Sequence, residues 1–161
     1  MIDIASISAL VAAIGVIVGV VFTVLELRNL VKTRQTELAI SLYSQSSSKE
    51  MAEAVGKFMT TEYEDYNEFV KKYGPVLSEK PVPMAFYMVG MFFEGVGVLL
   101  HRKLVDIGIV ADLFAVDIFW EKMKPLAEGL RKEFNNPSVY EWGEYLYNEL
   151  KKREQQLATV K

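Results

Sequence analysis

Few side chains in this sequence stand where chemistry could be done, and Glu94 is the most conspicuous of them. It is the single carboxylate inside MAFYMVGMFFEGVGVLL, the run from Met84 to Leu100. A carboxylate among apolar neighbours must find a partner or take up a proton, because burying it charged and alone is costly. The same run carries Met84, Met88 and Met91 at i, i+4 and i+7, a thioether ladder of the kind that can hold Cu(I). Flexible filling of a core explains that ladder without a metal. His101 stands beside Arg102 and Lys103 as the only histidine, in a chain without cysteine. A His-based metal site, a catalytic triad, a thiolate nucleophile and a disulfide therefore all lack their parts. Placed near a helix C-terminus, His101 is better read as facing exposed carbonyls. The acidic stretch EYEDYNE, Glu62 to Glu68, lacks the glycine-centred spacing of a calcium loop and reads as a solvated helix face. The glycines form no phosphate-cradling cluster, so no cofactor is expected. A net charge of −3 argues against a nucleic-acid partner, which needs a basic face.

The elements that must position these residues begin with an unusual N-terminus. Ile4 to Leu25, IASISALVAAIGVIVGVVFTVL, is an uncharged run of about 22 residues, enough to cross a hydrocarbon layer of about 30 Å as a helix. A secretory signal would start with basic residues and end at a small-residue cleavage site; this one starts with Asp3 and shows no such site. Arg28, Lys32 and Arg34 follow the run, so the basic bias predicts the N-terminus outside and the remainder in the cytoplasm. Gly15 and Gly19 form a GxxxG, and Ser8, Ala12 and Thr23 extend a stripe of small residues along nearly the same face. Small residues let helix backbones approach closely in lipid, which predicts self-association or docking to another span; they are also common in membrane helices generally. Glu26, at the cytoplasmic edge, reads as a solvated carboxylate.

No hydrophilic linker follows. Leu27, Leu30, Val31, Leu38 and Leu42 continue at helical spacing, so one helix should run to about residue 45. Ser47 with Glu50, and Thr61 with Glu64, have the form of capping boxes, predicting helices over Lys49 to Met59 and Glu62 to Tyr73. GPVLSEKPVP then reads as a loop. Met84 to Leu100 is apolar on every side but one, as befits the buried centre of a bundle more than a second span with a lone carboxylate. After a turn at HRKLVDIG, one long helix bent at Pro125 should reach Phe134, and a last helix should run from Val139 to about Leu157.

Three blocks, FFEGVGVLLHRKLVD, DIFWEKMKPLAEGLR and NPSVYEWGEYLYNELKKRE, resemble a family of uncharacterised small prokaryotic membrane proteins, a domain of unknown function. Its members have one N-terminal transmembrane helix and a C-terminal helical bundle. The likeness covers Phe92 to Glu154, with the same N-terminal layout, and implies a fold but no substrate or catalytic residue. It draws attention to Glu94, Trp120, Glu121, Pro125 and Arg131. The buried carboxylate of Glu94 is expected to pair with Arg131, or another basic side chain of the long helix, as a structural contact.

The chain is therefore expected to be all-α, with a transmembrane anchor at 1–26, a juxtamembrane helix at 27–46 and a cytoplasmic helical bundle at 47–161. No nucleophile with a base can be named, so no catalysis is expected. The expected partners are the lipid bilayer and either further copies of the chain or other membrane subunits. The expected role is that of a membrane-anchored interaction or scaffold protein, self-associating or accessory to a membrane complex. The alternative is a small homo-oligomeric channel with Ser8, Thr23 and Glu26 facing a pore.

Overall fold

The computed structural model describes residues 3–159, and among these it contains seven helices and no strand. Contacts divide the chain into two units, Met1–Glu37 and Leu38–Lys161.

The first unit is part of a single long helix, α1 (Ile4–Ser46). Every residue from Leu10 to Arg34 is exposed, including Val16, Ile17 and Phe22 at 63–69% of their full area. Burying a side chain of this size returns about 1.5–3 kcal/mol, so nothing within the unit supplies the stabilisation these residues could give. The hydroxyls of Thr23, Thr33 and Thr36 donate to the carbonyls of Gly19, Asn29 and Lys32, which satisfies them inside the helix.

In the second unit the end of α1 already belongs to the core, because Leu42 is buried. The second unit thus begins at Leu38, inside α1. Next comes α2 (Lys49–Thr60), capped by Ser48, whose hydroxyl accepts from the N–H of Met51 at 3.2 Å. The cap lies one residue after the Ser47 that the sequence pattern suggests. Thr61 caps no helix start; its hydroxyl donates to Lys57 O at 2.6 Å and closes α2. The following helix, α3 (Tyr66–Tyr73), is correspondingly shorter than expected. Asp65 accepts from the N–H of Glu68 at 2.8 Å, while Glu68 reaches back to the N–H of Glu64 at 2.7 Å. Gly74 ends α3 with φ +98°, a conformation that side-chain-bearing residues rarely adopt.

The expected loop is cut short by α4 (Pro81–His101), whose first turn contains Pro81 and Pro83. A proline there loses only a donor that has no partner in the helix anyway. What reads as one long helix is two, α5 (Ile107–Leu113) and α6 (Val116–Glu133), and α6 continues through Pro125. Phe114 is extended between them, and its ring meets those of Phe92 at 5.4 Å and Phe93 at 6.2 Å. The last helix is α7 (Glu141–Thr159).

Within the second unit α4 packs mainly on α2 and α7 and touches α6, burying Phe86, Val89, Phe93 and Val96. Phe86 lies 4.6 Å from Phe58 and 4.8 Å from Phe69, ring centre to ring centre, while Phe93 stacks on Phe119 at 4.0 Å. Gly97 sets the approach of α4 to α7: a Cβ there would lie 2.1 Å from the Trp142 carbonyl oxygen. The core reading of Met84 to Leu100 holds for this face of α4, while Met84, Tyr87 and Met91 on the other face are exposed.

Candidate functional site

Glu94 leaves α4 toward the start of α7. Its Oε1 accepts from the N–H of Gly143 at 2.9 Å. The first N–H groups of a helix have no partner within it and carry the positive end of the helix dipole. The residue before α7 is Tyr140, in the left-handed region at φ 56°, and its phenol is no substitute for a Ser or Asp cap. A carboxylate from α4 does that work across the core. The packing that fixes this turn includes the Tyr140 ring, which occupies the space a side chain at Gly90 would need.

The expected direct pairing of Glu94 with Arg131 is therefore corrected. The Arg131 guanidinium is engaged elsewhere, by Glu144 at 2.7 Å and by the carbonyls of Val139 at 2.9 Å and Tyr140 at 3.4 Å. Arg131 thus holds the turn before α7, and Glu94 holds the first turn of the helix. The two act on one junction without touching, and Arg131 reaches Glu94 only as a nearby positive charge.

Burial raises the Glu94 pKa above the ordinary carboxylate value, against the opposing pull of the Gly143 and Trp142 N–H groups. In the unfolded chain the same carboxyl loses its proton at lower pH. As pH rises from the unfolded to the folded pKa, this group therefore withdraws stability; below both values it has no effect of this kind. Glu94→Gln keeps an acceptor and has no charge to bury. Its stability relative to wild type should increase as pH rises from the ordinary carboxylate range through the raised Glu94 pKa. Thermal unfolding of both proteins across that range checks this, and a difference independent of pH refutes it.

The other candidate residues lie apart from this centre. Met84 and Met91 are exposed and Met88 is half-buried, so the methionine ladder does not fill the core. It borders an open groove of about 640 Å³ whose walls include Leu42, Met51, Tyr87, Met91, Gly95 and Val98 and no charged side chain. The His101 ring packs on Trp142 at 4.6 Å and on Tyr145 at 5.4 Å, an aromatic contact in place of the expected carbonyls. The acidic stretch lies largely outside helix, in a polar cleft of about 980 Å³ between α3 and α6 that includes Glu64, Asp65 and Lys132. Among the described residues no three His, Cys, Asp or Glu side chains gather as metal ligands. In the first unit Ser8, Ala12, Gly15, Gly19 and Thr23 share one exposed face by helical spacing, and a Cβ at either glycine would meet nothing within 4 Å.

A protein-family model described as "Domain of unknown function (DUF4760)" matches residues 9–150, most of both units. The chain belongs to the DUF4760 family. The DUF4760 match runs from the apolar part of α1 through the Glu94 junction and ends in α7, so it covers the long helix and the bundle together. No curated protein and no solved structure matched the chain.

Proposed function

We propose that this DUF4760 protein is a membrane-anchored helical interaction or scaffold protein. The uncharged part of α1 spans the bilayer with its N-terminus outside, and the second unit lies in the cytoplasm. The observation that carries this reading is the run from Ile4 to Leu25, helical and uncharged throughout its 22 residues and exposed on all sides from Leu10 onward. Such a surface needs an apolar surrounding, and its length suits a bilayer. Arg28, Lys32 and Arg34 supply the orientation.

In this proposal the face of Ser8, Ala12, Gly15, Gly19 and Thr23 packs against a second copy or another membrane subunit. Open space at both glycines leaves room for a close backbone. Mass measurement of the intact protein in lipid nanodiscs tests it. The expected result is a defined assembly of copies, or a co-purifying membrane protein, that Gly15→Ile with Gly19→Ile dissociates. A strictly monomeric, partnerless wild type contradicts it. An intact oligomer that also conducts ions in planar bilayers favours the channel over the scaffold.

A further inference from the structure

The face of α4 that the second unit leaves uncovered has a regular composition. Met84, Tyr87, Met88, Met91, Gly95 and Val98 recur at spacings of three and four, which places them within one narrow arc of the helix. Met91 is 49% exposed and Met84 and Tyr87 are 39% exposed. Glu94, the one acid of the helix, is turned away from this arc to Gly143. The next residue in the same register is Arg102, exposed at the end of the helix and followed by exposed Lys103 and Leu104. An exposed apolar stripe that ends in cations, with a tyrosine along it, suits a membrane interface, where apolar burial and attraction to headgroups act together.

We infer that this α4 face rests on an anionic lipid surface, with Met84, Tyr87 and Met91 among the upper acyl chains beneath the headgroups and Arg102 and Lys103 at phosphate groups. The inference rests on the anchor reading above. Charge selects lipid over a second copy: exposed cations stand at both ends of the stripe, Lys80 four residues before Met84 and Arg102 four after Val98, and anionic headgroups can satisfy them, whereas a second copy presents the same cations. Apolar burial and attraction of cations to anionic lipid then add in one surface.

The natural absence of cysteine allows a direct test with the full-length protein in vesicles of phosphatidylcholine and phosphatidylglycerol. Single-cysteine variants Val18→Cys, Met91→Cys and Asn148→Cys carry an environment-sensitive fluorophore, quenched by nitroxide lipids or by aqueous iodide. The expected result is lipid quenching with iodide protection at positions 18 and 91, and the reverse at exposed Asn148. Arg102→Glu with Lys103→Glu should abolish lipid quenching at position 91 while leaving position 18 unchanged. If position 91 is quenched by iodide while position 18 is quenched by lipid, this inference is overturned and the anchor reading stands. Shielding of position 91 from both quenchers overturns it in favour of a protein partner. Loss of lipid quenching at position 18 overturns the anchor reading itself, and this inference with it.

Discussion

Arginine at both Ile14 and Val18 should release the protein from membranes. Both residues are exposed in the middle of the uncharged part of α1, at 52% and 49% of full area. One arginine at the centre of a membrane helix costs about 2.5–3.5 kcal/mol on insertion, so two cost about 6 kcal/mol, or roughly a 10⁴-fold shift away from the inserted state. Alkaline extraction of membranes measures it: wild type stays with the lipid and the double variant appears in the supernatant. Ile14→Leu with Val18→Leu should behave as wild type. α4 is the second helix long and apolar enough to cross a membrane, but half of it is buried in the second unit. Retention of the double variant would transfer the anchoring role to α4.

The second large effect concerns the core of the second unit. Phe86 is fully buried and its ring meets Phe58, Phe69 and Tyr63. Phe86→Ala removes the shared contact of three rings and leaves a cavity, at a cost of about 4 kcal/mol. Leu77→Ala, at a side chain 70% exposed, should change stability by less than about 0.5 kcal/mol. Denaturant titrations followed by tryptophan fluorescence report on this unit alone, since both Trp120 and Trp142 belong to it. Equal midpoints for Phe86→Ala and wild type would refute the packing described.

The helices were legible where the signal is local. Uncharged length marks the first unit, and Gly74 ends α3 after Tyr73 as expected, whereas Asp65 with Glu68, and not the expected Thr61 with Glu64, caps its start. Where a choice is made by distant residues the pattern misleads. No proline or glycine marks the break between α5 and α6; Phe114 leaves helical geometry where its ring meets Phe92 and Phe93. Ser47 and Thr61 offer capping patterns as good as those used, and one residue of register decides between Ser47 and Ser48. At Glu94 the sequence shows a buried acid needing compensation. Compensation by a helix N-terminus leaves almost no trace, except that α7 begins after Tyr140 without its own polar cap. The methionine ladder reads as core filling, wrongly, because α4 is apolar on both faces and only the packing of α2 and α7 distinguishes them.

The central claim is that the first unit holds this DUF4760 chain across a bilayer with the second unit in the cytoplasm. Its most direct test labels two single-cysteine variants, Asp3→Cys and Lys124→Cys, with a membrane-impermeant maleimide before and after lysis of cells that produce them. The account predicts that position 3 is labelled in intact cells and position 124 only after lysis. Labelling of position 124 in intact cells, or recovery of the wild-type chain as soluble protein, would contradict it.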